Sequence, residues 1–240
     1  MSRAILYVHG LGCSSSDFDD TAAQPALRGF HTVAFNHPGC GGSAYPNRTD
    51  IDGLVELLER RVDASDLSRF LLVGGSLGGL VGLMFAERNR HRLSGFVNVE
   101  GNLAPEDCMF SRRVVGHSFE EFETCVFPAI KRDLAGKTGR GFERHLAVLE
   151  RADPKAYYDY SFKTVEYSDS GTLVDRFLSL DVPIAFVYGS ANRGLSYLPR
   201  LRASQCEVVE VPDADHFLFY DNPEAFAAVL AAFAENGARW

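Results

Sequence analysis

Cysteine is sparse in this 240-residue chain, and its five copies (Cys13, Cys40, Cys108, Cys125 and Cys206) are odd in number and widely scattered. With no C-x-x-C pair, they fit free thiols in a reducing cytoplasm better than a disulfide frame or a zinc site. Positive charge is also in deficit: 24 Lys and Arg stand against 32 Asp and Glu, a net charge of −8. Nucleic acid is therefore not expected as the main partner, because phosphate binding needs clustered Lys and Arg. No apolar run approaches the length of a membrane span. The first strand pattern starts at Arg3 or Ala4, which leaves no room ahead of it for a signal peptide, so a cytoplasmic location is expected. The acidic residues show no metal-ligand spacing and there is no phosphate-cradling loop, so neither metal nor nucleotide cofactor is implied. Internal repeats and low-complexity tracts are absent.

What remains is globular, with 46% hydrophobic and 23% charged residues and length enough for a sizeable core. Short apolar runs alternate with helix-compatible segments, the pattern of an α/β fold with a mostly parallel sheet covered on both faces. Six strands are expected, at Ala4–His9, His31–Asn36, Phe70–Gly74, Ser94–Glu100, Pro183–Tyr188 and Cys206–Val211. Helices are expected over Asp52–Val62, Leu77–Arg88 and Pro223–Glu235, the last with Pro in its first turn. The alternation breaks between Leu103 and Leu180, a stretch rich in Phe and Tyr and too long for a loop. It reads as a helical lid, residues 103–180, inserted into a core made of residues 1–102 and 181–240. Most of its aromatic residues would form its own small core and a minority would line a pocket beneath it.

The sharpest local signal is Gly74-Gly75-Ser76-Leu77-Gly78-Gly79, placed between the apolar run Phe70–Val73 and the helix-compatible Leu80–Ala86. A G-x-S-x-G string in that setting is a nucleophile elbow. The chain turns sharply, the serine adopts a strained backbone conformation, and its neighbours two residues away must be very small. The hydroxyl then stands at a helix N-terminus, whose dipole favours developing negative charge.

With the elbow, the turn His9-Gly10-Leu11-Gly12, the turn Asn36-His37-Pro38-Gly39 and the late Asp215-His216-Phe217 in this order, nearly the whole chain resembles the α/β-hydrolase superfamily. The small antiparallel strands that open the family's sheet are not apparent. The resemblance implies that Ser76 is the nucleophile and that His216, after the last strand, is its base. It also implies that the backbone N–H groups of Leu11 and Leu77 hold the oxyanion. His9 and His37 belong to turns, His31 opens a strand, and His91, His117 and His145 read as surface or lid residues. Cys13 and Cys40 lie in loops near the expected pocket with no evident base, and read as packing residues.

The third member of the triad departs from the pattern. The family's common acid position, three residues after Gly189, holds Asn192, and an amide cannot stabilise an imidazolium charge. Some members carry the acid after an earlier strand, which points to Glu100; the bland alternative is that Glu100 pairs with Arg112 or Arg113. Asp107 and Asp213 are the reserve candidates, whereas Asp215 is too close in sequence to His216 to reach its ring. The resemblance thus implies a serine hydrolase of esters or thioesters of a moderately apolar small molecule. Amides, lactones and carbon–carbon bonds are also cleaved on this scaffold, and Asn192 keeps open a non-hydrolytic receptor or lyase.

Overall fold

The computed structural model describes residues 3–46 and 48–237, so residues 1–2, 47 and 238–240 of the expected core lie outside it. Six strands form one parallel sheet: β1 (Arg3–Val8), β2 (Phe30–Ala34), β3 (Phe70–Gly75), β4 (Leu93–Val99), β5 (Ile184–Gly189) and β6 (Glu207–Val211), in the order β2-β1-β3-β4-β5-β6. Toward the carboxyl ends of the strands the register sets Tyr7 opposite Val73, Gly74 opposite Asn98 and Val99 opposite Val187; it shifts between Phe70 and Leu71 of β3. β3 and β5 are buried along their whole length, as a sheet covered on both faces requires.

Helix α1 (Ile51–Asp63) starts where the Asp50 carboxylate accepts from the Gly53 N–H at 3.1 Å, and it buries Ile51, Leu54, Val55, Leu58 and Val62. Helix α2 (Leu77–Asn89) follows the elbow and is buried from Leu77 to Ala86. A side chain at Gly82 of α2 would meet the ring of Phe96 at 2.8 Å, and one at Gly95 would meet Phe233 at 2.8 Å. Gly95 and Phe96 are neighbours on β4 and face opposite sides of the sheet. The elbow helix and the C-terminal helix, Pro223–Gly237, which carries Phe233, therefore cover opposite faces.

Between β4 and β5 lie α3 (Phe127–Ala135), α4 (Arg140–Leu149), α5 (Pro154–Asp169) and α6 (Leu173–Leu178); α7 is the C-terminal helix. The aromatic residues of this insertion pack mainly on each other: Phe122 lies 5.2 Å from Phe127 and 5.8 Å from Tyr157, centroid to centroid. Among the Phe and Tyr residues described between 103 and 180, Phe110 alone lines the cavity at the strands' carboxyl ends, fewer than expected. The chain leaves β1 to one side for β2 and returns on the other for β3. The loops after β1 and β3 therefore flank a switch point, where open α/β sheets bind ligands. No helix among the described residues is long and apolar enough to cross a membrane.

Candidate active site

Ser76 sits between β3 and α2 with φ 52° and ψ −124°, a conformation that non-glycine residues rarely adopt. The surrounding glycines make it possible. A Cβ at Gly74 would lie 2.3 Å from the carbonyl oxygen of Gly78, and one at Gly78 would lie 2.1 Å from that of Val8. The backbone is pinned as well: the Ser76 N–H donates to the Val99 carbonyl at 3.1 Å, and the Ser76 carbonyl accepts from the Gly79 N–H at 2.8 Å. Ser76 Oγ makes no hydrogen bond among the described residues. Ser76 lines a small cavity of about 20 Å³ together with Leu11, Leu77, Phe110, His145 and His216.

The loop after β1 lies directly against the serine, since a Cβ at Gly10 would come within 3.0 Å of Ser76 Cβ. Two histidines lock this loop. His9 Nδ1 donates to the Gly10 carbonyl (2.9 Å), and His9 Nε2 accepts from the His37 N–H (3.0 Å). His37 Nε2 donates back to the His9 carbonyl at 3.2 Å. Burial lowers the pKa of both rings, which keeps them neutral and suited to these roles. The N–H of Leu11 and that of Leu77, at the first position of α2, have no acceptor among the described residues. Both residues line the same cavity as Ser76.

His216 is 9% exposed, and its Nδ1 lies 2.9 Å from Glu100 Oε2, itself on a residue only 5% exposed. Glu100 follows β4 directly and turns out of the sheet at φ 42°. The turn is shaped by Asn98, whose Oδ1 accepts from the Gly101 N–H at 2.7 Å. Glu100 Oε1 accepts from the Gly189 N–H at 2.7 Å and from Asn192 Nδ2 at 3.0 Å. Burial alone would lower the pKa of His216. The Glu100 hydrogen bond, with the charges of Glu100, Asp107 and Asp215, outweighs it and holds the ring above its usual value. A ring that donates at Nδ1 to a carboxylate keeps its Nε2 lone pair free to take up a proton.

The arginines proposed as alternative partners go elsewhere, Arg112 to Asp169 and Arg113 to Asp133. Neither reserve acid reaches the ring. Asp107 borders the cavity, but its carboxylate accepts from the Leu103 and Ala104 N–H groups and from the Tyr197 hydroxyl; burial pushes its pKa up to about 6. Asp213 is exposed, at a turn with φ 53°. Asp215 binds the His216 N–H at 2.7 Å rather than the ring.

A model described as Alpha/beta hydrolase family matches residues 5–229. The chain belongs to that family. It is 27% identical to "Pimeloyl-[acyl-carrier protein] methyl ester esterase" of Neisseria meningitidis serogroup B, an alignment covering 99% of this chain and 95% of that protein. It is 26% identical to "1-acylglycerol-3-phosphate O-acyltransferase" of Arabidopsis thaliana over 95% of this chain, and spans 66% of that relative's length. Among solved structures, a thermophilic esterase from Thermogutta terrifontis superposes with a TM-score of 0.81 at 19% identity, over 99% of this chain and 91% of that one.

One residue of this α/β hydrolase that the sequence places only on the surface or in the lid lines the cavity. His145, on α4, is buried and stacks on Phe217 with 4.3 Å between ring centroids. Its Nδ1 lies 3.6 Å from Cys13 Sγ. Burial, reinforced by the nearby His216, lowers its pKa to about 3, so it stays neutral. Burial and the Asp17 charge raise the Cys13 thiol well above its usual pKa, which keeps it a protonated packing group. The sequence did hold a signal for His145: Phe142, His145 and Leu149 recur at helical spacing on the buried face of α4.

Proposed function

We propose that this α/β hydrolase is a cofactor-free serine hydrolase that cleaves a carboxylic ester or thioester of a moderately apolar small molecule. Ser76 Oγ attacks the carbonyl carbon while His216 Nε2 takes the hydroxyl proton, and Glu100 stabilises the imidazolium that forms. The Leu11 and Leu77 N–H groups hold the oxyanion. Collapse expels the alcohol or thiol, which receives the proton from His216. Water, activated by the same ring, then releases the acid and restores Ser76.

The observation that carries this reading is the 2.9 Å contact between His216 Nδ1 and Glu100 Oε2, on a ring that shares its cavity with the strained serine. Asn192, the residue that favoured a non-hydrolytic receptor or lyase, hydrogen-bonds this carboxylate instead of taking its place. Relatives named as an ester hydrolase and an acyltransferase both handle acyl groups, which supports acyl chemistry. The insertion over residues 103–180 acts as a lid: a cavity of about 20 Å³ has room for roughly one water, so substrate enters when Phe110 and its neighbours move aside. The free thiols, all buried except Cys125, support a reducing, cytoplasmic setting.

A fluorophosphonate probe tests the proposal. It should label the wild-type protein on Ser76 and fail to label Ser76→Ala. A wild-type protein left unlabelled under conditions that label ordinary serine esterases overturns it.

A further inference from the structure

Asn192 occupies the place where the family commonly carries its acid, yet its amide is far from idle. Asn192 Nδ2 lies 3.0 Å from Glu100 Oε1, 3.0 Å from Glu100 Oε2 and 3.1 Å from Asp215 Oδ1. An amide nitrogen has two hydrogens. One forks across the Glu100 carboxylate and the other serves Asp215. We propose that Asn192 is a positioning residue whose amide clamps Glu100 in line with His216 and separates it from the like charge of Asp215. This rests on the serine-hydrolase reading above and adds to it a role for the residue that breaks the family pattern.

The physical case is one of sign. Two carboxylates reach one nitrogen, and the N–H dipoles between them are what make that approach favourable. With the Gly189 N–H on Oε1 at 2.7 Å and His216 on Oε2, the Glu100 carboxylate is met by donors on every polar side. An aspartate at position 192 would replace the shared donor with a third acceptor. Carboxylates in such contact cannot all ionise, so the cluster takes up a proton, and whatever negative charge remains draws His216 toward its protonated form. Both effects disable the base on the acid side. The change that restores the commoner family pattern is therefore expected to damage this protein.

Other titratable groups face the same cluster and stay constant in the comparison. Asp107 acts on His216, Tyr197 lies within the field of Glu100, and His145 faces His216 from α4.

The test measures kcat and KM for p-nitrophenyl acetate from about pH 5 to about pH 9 in the wild type and in Asn192→Asp, Asn192→Ala and Asn192→Ser. Asn192→Asp should lose about tenfold to a hundredfold in kcat/KM at neutral pH, with its acid limb moved up by about one pH unit and activity recovering toward high pH. Asn192→Ala should lose about tenfold in kcat, with KM within about twofold and no upward movement of the limb. Asn192→Ser, which keeps one donor, should fall between wild type and the alanine variant. A merely structural role would not move the limb in the aspartate variant alone. Thermal melting identifies any variant that fails to fold, and the remaining two then decide. Wild-type kcat in Asn192→Ala, or an unmoved limb and undiminished rate in Asn192→Asp, overturns the proposal. Ser76→Ala and Glu100→Gln complete the set. If these lose activity while the Asn192 variants do not, this inference alone falls; activity surviving Ser76→Ala removes the serine reading and this inference with it.

Discussion

Replacing Glu100 by glutamine removes one charge and changes one oxygen into an NH₂ group, and the surroundings leave that group nowhere good to go. Oε1 accepts from the Gly189 N–H at 2.7 Å, and Oε2 accepts from His216 Nδ1 at 2.9 Å. A glutamine has a single oxygen for these two donors. With its oxygen toward Gly189, its NH₂ faces His216 and drives the ring proton from Nδ1 to Nε2, where it blocks abstraction from Ser76. With its oxygen toward His216, two N–H groups meet at Gly189, at a cost of about 1–3 kcal/mol. The lost charge matters more. Unit charges about 4 Å apart interact by about 4 kcal/mol at an effective dielectric near 20, which is about 10³ in rate at 1.36 kcal/mol per decade. Replacing the triad carboxylate by an amide in a serine protease costs about 10⁴ in turnover, which agrees within a decade. The pH profile supplies an independent sign. A base works only when neutral, so the wild-type rate should fall as pH drops through a His216 pKa held above about 6.5. Without Glu100 the lowering effect of burial gains ground, and the acid limb of the residual rate should move to lower pH. The assay is kcat/KM on a chromogenic ester as a function of pH, beside a melting curve. A Glu100→Gln variant that folds, keeps more than about a tenth of wild-type kcat/KM and leaves the limb in place would refute the assignment.

Two further substitutions probe the elbow and the cavity. Gly78→Ala puts a methyl 2.1 Å from the Val8 carbonyl oxygen and 2.7 Å from that of His9; because both atoms are backbone, about 3 kcal/mol or more of stability should be lost, and an unchanged melting temperature would contradict this. Cys13→Ala should label with a fluorophosphonate within about threefold of the wild-type rate, since the thiol is buried, protonated and only packs against His145; a loss of about a hundredfold would make Cys13 part of the chemistry.

The strands were legible because each is a short apolar run bounded by turn residues, and every expected strand differs from the observed one by at most two residues at either end. The elbow was legible because its glycines answer to backbone sterics that no distant residue can relax. The proposed acid was legible through the family resemblance, which put Glu100 ahead of Asp107 and Asp213, all carboxylates close to the carboxyl ends of strands. Tertiary hydrogen bonds set them apart: the Leu103 and Ala104 N–H groups and Tyr197 occupy Asp107, solvent takes Asp213, and Gly189, Asn192 and His216 converge on Glu100. His145 reads in the sequence only as a surface or lid residue, although its spacing with Phe142 and Leu149 sets it on the buried face of α4.

The position of the acid also bears on how the site is held. Ser76 and Glu100 both have positive φ, at 52° and 42°, and strain of this kind, about 1–3 kcal/mol per residue, persists only where the surroundings over-determine the backbone. Here the two strained residues brace each other. The Ser76 N–H donates to Val99, immediately before Glu100, and the Asn102 N–H, two residues after it, donates to the Ser76 carbonyl. Gly101, between them, lies so near Gly79 that a Cβ would sit 2.6 Å from the Gly79 Cα. The proposed acid after β4 is therefore tied through adjacent backbone to the proposed nucleophile after β3. Toward β5, the Glu100 N–H donates to the Val187 carbonyl at 3.0 Å, and the Gly189 N–H and the Asn192 amide reach the carboxylate itself. In that arrangement a donor at 192 is the complement of an acid at 100, and the asparagine that looked like a lost catalytic group follows from where the carboxylate was placed.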